Sequence, residues 1–269
     1  MGCNGKTKKD WADHMIPKVI HYCWFGKDTL PDEAQKCIQS WRKYCPDYEI
    51  KRWNEANFDI NCCKYVREAY EAKKWAFVSD YARFWILYNY GGIYFDTDVE
   101  IIRPIDDIIS HGAFMGIEAG PDVVVAPGLG IGVEEKNSIC GEILEYYNRQ
   151  SFRLADGTIN KTTVVVRISE IMKNNGYRAS GEKEMVGGIT IYPAEYFCPM
   201  NYYNGKTVIT DNTRTIHHYA ETWHNPAERL IETIRRKLYD TRYCDSVLQK
   251  IMIFPFRVWN KLIYIYEKK

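Results

Sequence analysis

The segment Gly91-Gly92-Ile93-Tyr94-Phe95-Asp96-Thr97-Asp98-Val99-Glu100 constrains the fold more than any other stretch of this chain. An apolar run ends in two aspartates spaced i, i+2, and Val99, Ile101 and Ile102 then resume the apolar pattern. Read as a strand, the segment brings both carboxylates to one face at a sheet edge, because side chains at i and i+2 of a strand point the same way. Adjacent carboxylates repel unless a cation lies between them. Oxygen ligands of this kind suit a hard divalent ion, Mn²⁺ or Mg²⁺, which can in turn hold a diphosphate. Taken alone, the pair also reads as a solvated acidic turn.

The residues before it sharpen the reading. Apolar positions Phe77, Tyr81, Phe84, Trp85 and Tyr88 recur at helical spacing over 75–90. Asn89-Tyr90-Gly91-Gly92 then supplies a helix stop and a turn. Asp80 and Arg83 sit i, i+3 on one face of this mostly apolar helix. Buried charges need partners. The pair is either a structural tie between helix and sheet or a carboxylate and guanidinium aimed at the same ligand as Asp96 and Asp98.

Ser79-Asp80-Tyr81-Ala82-Arg83 followed by Tyr88-Asn89-Tyr90-Gly91-Gly92-Ile93-Tyr94-Phe95-Asp96-Thr97-Asp98 resembles the signature of family 32 of the retaining glycosyltransferases. That family includes fungal initiating mannosyltransferases and bacterial capsule enzymes, and the large glucosylating toxins carry a related signature. The opening run Ile16 to Gly26 and the block Thr215-Ile216-His217-His218-Tyr219-Ala220-Glu221-Thr222-Trp223 are similar to that family as well. The resemblance spans roughly residues 16–225.

It implies an α/β, GT-A-type nucleotide-diphospho-sugar transferase fold: a Rossmann-like mixed sheet flanked by helices. It also implies a metal-dependent enzyme that retains anomeric configuration. Asp98 is the expected first metal ligand, with Asp96 reaching the ion directly, through water, or contacting the ribose. Neutral imidazole suits Mn²⁺. His218 is the expected second ligand by its spacing to Trp223, with His217 the alternative. Asp80 and Arg83 resemble residues that hold sugar hydroxyls, and a planar guanidinium also suits phosphate. Trp24 resembles a uracil-stacking tryptophan, Trp223 one whose indole N–H supports the leaving phosphate, and Tyr94 places a hydroxyl near the ribose or diphosphate. The donor is expected to be a UDP-sugar, with GDP-mannose the alternative, and the acceptor a glycan or lipid-linked glycan.

Composition excludes several other classes. With 36 basic and 35 acidic residues the chain lacks the basic excess of a nucleic-acid binder. No apolar run is long enough to span a membrane, and the polar start does not read as a signal peptide. Nine cysteines without a Cys-x-x-Cys spacing read as free thiols in a reducing cytosol. An Asp-x-Asp after a strand also opens haloacid-dehalogenase phosphatases, but Glu100 stands where those usually have Thr or Val. A catalytically inactive sugar-binding protein and a toxin-like protein glycosyltransferase are the remaining rivals.

Strands alternating with helices indicate an α/β sandwich. Strands are expected at 17–25, 48–53, 113–117, 190–192 and 207–209. Helices are expected at 31–44, 61–73, 75–90, 137–149 and 162–175, and the Gly/Pro-rich segment 119–132 reads as a loop or a strand bordered by loops. The expected layout is a loose tail over 1–14, a catalytic domain over 15–225 and a helical extension over 226–269. That extension holds 10 Lys/Arg against 5 Asp/Glu. Its basic and aromatic character reads either as a pair of helices packed on the catalytic domain with a solvated basic face, or as a surface that holds a cytoplasmic protein at an anionic membrane.

Overall fold

Period-two alternation along the central strands sets up a hydrophobic layer on each face of a mixed sheet. The computed structural model of the chain describes residues 15–26, 28–120, 123–202 and 205–220. The expected N-terminal tail, Trp223 and the extension over 226–269 lie outside the described residues.

Strand β1 (Val19–Cys23) leads through helix α1 (Asp32–Tyr44) to β2 (Glu49–Trp53). Helices α2 (Lys64–Glu71) and α3 (Trp75–Tyr90) follow, then β3 (Gly92–Tyr94) and β4 (Val99–Ile101). A short helix α4 (Asp106–Ile109) precedes β5 (Phe114–Gly116) and β6 (Ile131–Val133). Helices α5 (Ser138–Asn148) and α6 (Val164–Asn174) come next. The described chain then runs through β7 (Glu184–Val186), β8 (Ile189–Tyr192), α7 (Ala194–Phe197) and β9 (Thr215–His217).

The main sheet has seven strands in the order β2-β1-β3-β6-β5-β8-β7. β1 is parallel to β2 and β3, β5 is parallel to β8, and β6 and β7 run antiparallel to their neighbours. This is the mixed, helix-flanked α/β sheet expected of a GT-A-type fold. On β3 and its continuation, Ile93 and Phe95 enter the layer that holds Trp41 of α1 and Phe197 of α7. Tyr94 enters the opposite layer, with Tyr65 of α2, Phe84 of α3, Tyr147 of α5 and Ile168 of α6.

The Gly91-Gly92 pair is what joins α3 to β3. Gly91 caps the helix at φ 59° and Gly92 sits at φ 94°. A Cβ on Gly92 would lie 2.8 Å from the Val19 carbonyl oxygen, so a side chain is excluded by contact as well as by backbone conformation.

Two local expectations fail. Pro31 is the N-cap of α1 rather than part of its first turn. Residues 207–209 do not form a strand: Thr207 makes one isolated bridge to Met200, and Val208 and Ile209 are more than half exposed. Alternation without burial gives a strand nothing to pack on.

Candidate active site

Asp96 and Asp98 follow β3 at its carboxyl end, the edge where α/β sheets place their ligands. They do not share a strand face. Residues 95–98 leave the sheet in a turn before β4 begins, and the two carboxylates take different partners. The expectation of two carboxylates side by side on one strand is therefore corrected: the chain must leave the main sheet here to pair β4 with β9 in a separate two-stranded sheet.

Asp96 belongs to a charged cluster built on α3. The Arg83 Nη2 group donates to Asp80 Oδ1 at 3.1 Å and lies 3.3 Å from Asp96 Oδ1, while Nη1 donates to Asp96 Oδ2 at 3.3 Å. Nε donates to the Ser79 carbonyl at 3.2 Å, so the fork is held from three sides. The guanidinium also lies over the Tyr94 ring, 4.8 Å from its centroid. The Tyr94 hydroxyl donates to Asp96 Oδ1 at 3.0 Å. Tyr94 is fully buried, so its hydroxyl orients Asp96 instead of presenting an open group to a ribose. Asp80 and Arg83 are also buried. The Asp96 side chain, 32% exposed, is the member of the cluster that faces outward.

Burial raises the Asp80 carboxyl to about 7; Arg83 opposes the shift and Asp96 adds to it. For Arg83 burial acts against the charge, but Asp96, Tyr94 and Asp80 outweigh it and hold the guanidinium charged.

Asp98 turns toward β9. The Ala220 N–H donates to its Oδ2 at 2.9 Å, and His217 Nε2 lies 3.3 Å from the same oxygen. The His218 N–H donates to the Asp98 carbonyl at 2.9 Å. Burial disfavours the Asp98 charge, but His217 and the Ala220 N–H outweigh it and hold the carboxyl down at about 2. Burial likewise works against a charged His217, yet Asp98 raises its pKa well above the ordinary value. The pair is an ion pair in this state.

The sequence reading favoured His218 beside Asp98; the structure places His217 there. Consecutive strand residues point to opposite faces. The His218 ring instead meets Glu100 Oε2 at 2.9 Å, with both side chains 41% exposed.

Trp24 follows β1 at the same sheet edge, half-buried, with its indole N–H donating to the Asp28 carbonyl at 2.9 Å. Trp223 lies outside the described residues.

Three residues at the site were not foreseen. Gly128 lies against Asp96: its carbonyl accepts the Asp96 N–H at 2.9 Å, and a Cβ there would overlap Asp96 Oδ2. The Pro127-Gly128 turn was a visible signal for a close approach. Arg167 of α6 is buried, and its charge acts on Asp80, extending the cluster into an alternating series: Asp96, Arg83, Asp80, Arg167. Its Nε donates to the Thr162 carbonyl and Nη1 to the Tyr146 hydroxyl. Glu118, just past β5, has a carboxyl raised by burial and partly offset by His217. Neither Arg167 nor Glu118 carries a motif that marks it.

The donor set fits a hard divalent ion in part. Asp98 is held ionised and Asp96 is part-exposed, and both supply oxygen. His217 in its protonated form cannot ligate. Among the described residues no group of three or more potential ligands is clustered as a metal site. An ion bound through one or two carboxylates and substrate phosphates needs no all-protein cage.

Comparison with known proteins bears on the segment that carries these residues. The family described as "Glycosyltransferase sugar-binding region containing DXD motif" matches residues 31–115. Inositol phosphoceramide mannosyltransferase 1 of Schizosaccharomyces pombe is 30% identical over 111 residues, 37% of this chain and 33% of that protein. The chain thus matches about a third of that relative's length. Uncharacterized glycosyltransferase L373 of Acanthamoeba polyphaga mimivirus is 26% identical over 204 residues, 71% of this chain and 76% of that one. A solved glycosyltransferase involved in glycosylation of the major capsid of PBCV-1 superposes with a TM-score of 0.45 at 13% identity, covering 79% of this chain and 97% of its own. The matched residues 31–115 carry Asp80, Arg83, Asp96 and Asp98, so the family match falls on the same segment as the resemblance seen in the sequence.

Proposed function

We propose that the protein is a metal-dependent, retaining glycosyltransferase that moves a sugar from a nucleoside-diphosphate donor to a glycan or glycolipid acceptor. The observation that carries this reading is the Asp80–Arg83–Asp96 cluster beside Asp98 at the carboxyl edge of β3, inside the matched sugar-binding region.

Asp96 and Asp98 would hold Mn²⁺ or Mg²⁺, and the bound ion would neutralise the diphosphate leaving group. Asp96, steadied by Arg83 and Tyr94, presents a carboxylate of fixed orientation to a sugar or ribose hydroxyl. Arg83 holds that carboxylate in place through both of its terminal nitrogens. The His217 imidazolium adds positive charge beside Asp98, where a diphosphate would lie. No side chain stands out as a covalent nucleophile, which favours front-face attack with the leaving phosphate taking the acceptor's proton.

A UDP-linked donor is the first choice, with the base stacking on Trp24. The similarity to an inositol phosphoceramide mannosyltransferase supports the alternative of GDP-mannose and a lipid-borne acceptor. Donor hydrolysis with a panel of UDP- and GDP-sugars in Mn²⁺ tests the reading. Turnover of one donor, lost in chelator and in Asp98→Asn, is expected. Undiminished turnover in chelator would remove the metal, and absence of turnover and of nucleotide binding across the panel would remove the enzyme.

A lipid-borne acceptor agrees with attachment of the basic segment 226–269 to an anionic membrane from the cytoplasmic side. Co-sedimentation of the full chain with anionic vesicles at low salt, released as salt rises, is expected. Equal recovery with neutral vesicles would reject it.

A further inference from the structure

On the reading of the Asp80–Arg83–Asp96 cluster as the donor site, we propose that Arg167, Tyr65 and Tyr147 hold a buried water that joins Arg167 to Asp80, and that Arg167 is thereby a positioning residue for the donor sugar. Arg167 Nη2, the Tyr65 hydroxyl and the Tyr147 hydroxyl have no hydrogen-bond partner among the described residues. Tyr65 and Tyr147 are fully buried and Arg167 is 3% exposed. Buried polar groups are almost always hydrogen-bonded, and where the protein supplies no partner an ordered water does.

These three atoms come from three helices that meet at one place. The Arg167 guanidinium of α6 lies 5.5 Å from the ring centroid of Tyr65 on α2 and 5.6 Å from that of Tyr147 on α5. Those two rings meet edge to face at 4.9 Å. The rest of the guanidinium is already fixed, with Nε donating to the Thr162 carbonyl at 3.1 Å and Nη1 to the Tyr146 hydroxyl at 3.0 Å. Because the fork is planar and rigid, these two bonds also fix the direction of Nη2.

Asp80 faces the same place. Phe77, Asp80, Tyr81 and Phe84 stand at i, i+3, i+4 and i+7, so they line one stripe of α3. The Tyr81 ring meets Tyr147 at 6.0 Å. Phe77 meets Phe152 at 5.0 Å, and Phe152 meets Tyr65 at 5.7 Å. The stripe that carries Asp80 therefore packs toward the two tyrosines over which Arg167 stands. Among the described residues Asp80 forms a direct ion pair with Arg83 alone, through Oδ1 at 3.1 Å. Beyond burial, which raises both tyrosine hydroxyls, the Asp80 charge raises them further and the Arg167 charge opposes it. A polar gap too wide for a direct bond is where a bridging water belongs.

A water here accepts from Arg167 Nη2 and from one tyrosine hydroxyl. It donates to Asp80 Oδ2 and to the oxygen of the other tyrosine, which fills the two to four bonds usual for a buried water. Arg83 holds Oδ1 and the water holds Oδ2, so the carboxylate is fixed at both oxygens. Small displacements of a group that orients substrate cost turnover. Arg167 touches neither donor nor metal in this arrangement and acts through Asp80.

A high-resolution crystal structure of the full chain reads the water directly. In the wild type, density is expected within about 3.2 Å of Arg167 Nη2 and of Asp80. In the double variant Tyr65→Phe, Tyr147→Phe the rings keep their packing and the density should be lost. With the sugar nucleotide that the UDP- and GDP-sugar panel shows to be turned over, kcat/KM of this variant should fall at least about fivefold. Its affinity for the matching sugar-free diphosphate, UDP or GDP, should stay within about twofold, since Asp80 acts on the sugar. Arg167→Lys keeps a donor for the water and should lose less than Arg167→Met. Absence of the density in the wild type overturns the proposal, as does a double variant with wild-type kcat/KM, an equal loss of diphosphate binding and turnover, or Arg167→Met as active as Arg167→Lys. If the wild type turns over no donor, the glycosyltransferase reading and the positioning role fail together, and the density alone decides the water.

Discussion

Replacing Asp80 with asparagine should make the protein more stable at neutral pH while disabling it. Burial lifts the Asp80 carboxyl from an ordinary 3.8 to about 7. The shift is about three pH units, and each unit corresponds to about 1.4 kcal/mol, so ionising Asp80 in the fold costs about 4 kcal/mol. The folded chain binds the Asp80 proton more tightly than the unfolded chain does. Between about pH 4 and 7 the native state therefore holds the extra proton, and stability falls as pH rises through that window. Asparagine removes this slope and keeps a carbonyl oxygen to accept from Arg83 Nη2. Arg83 is not left unpaired, because both of its terminal nitrogens also reach Asp96 at 3.3 Å. Urea unfolding of both proteins at several pH values is the assay. The variant should match the wild type near pH 4 and exceed it by up to about 4 kcal/mol near pH 8. Donor turnover should fall at least about tenfold, a loss of about 1.4 kcal/mol of transition-state stabilisation. A variant less stable than wild type at pH 8, or a gap that does not change with pH, would refute the reasoning.

The remaining predictions concern the two aspartates of the motif. Gly128→Ala should displace the Asp96 carboxylate and lower donor turnover at least about tenfold with a secondary structure unchanged by circular dichroism; full activity would show that the turn yields. Asp98, held near 2 in the folded chain, contributes roughly 2 kcal/mol that is fully present above pH 4 and is lost as pH falls through 2. In metal-free protein, Asp98→Asn should therefore be less stable at neutral pH and show a flatter acid-unfolding profile than wild type, and identical profiles would remove the ion pair with His217 as a source of stability.

The elements legible in the sequence are those whose own pattern fixes them. Helix α3 could be bounded from residues 75–90 because the Gly91-Gly92 pair admits no side chain on the path from helix to sheet. β1, β2, β5 and β8 announce themselves by apolar residues at strand spacing. What escaped was short or set by distant partners. β7, β9, α4 and α7 span three or four residues each, too few to show a period. The apparent strand at 207–209 has the right residue types but no sheet to bury them. In the site, Asp80, Arg83, Asp96 and Asp98 stand in one contiguous signature, whereas Arg167 and Glu118 come from segments whose approach depends on the packing of α6 and the path after β5.

The choice between His217 and His218 shows most clearly what spacing cannot decide. Adjacent residues on a strand occupy opposite faces, so a one-residue difference in register exchanges their roles entirely. Spacing to a downstream tryptophan counts residues along the chain and carries no information on which face meets Asp98. The pairing of Val99 with His217 carries it, and that register is held by hydrogen bonds from the His218 and Ala220 N–H groups to the Asp98 carbonyl and carboxylate. Asp98 thus fixes the strand end that brings its own cation. The same residue that the sequence marks as a ligand is, in the fold, the anchor that decides which histidine stands beside it. A substitution that removes the carboxylate while leaving the carbonyl, as Asp98→Asn does, separates these two tasks.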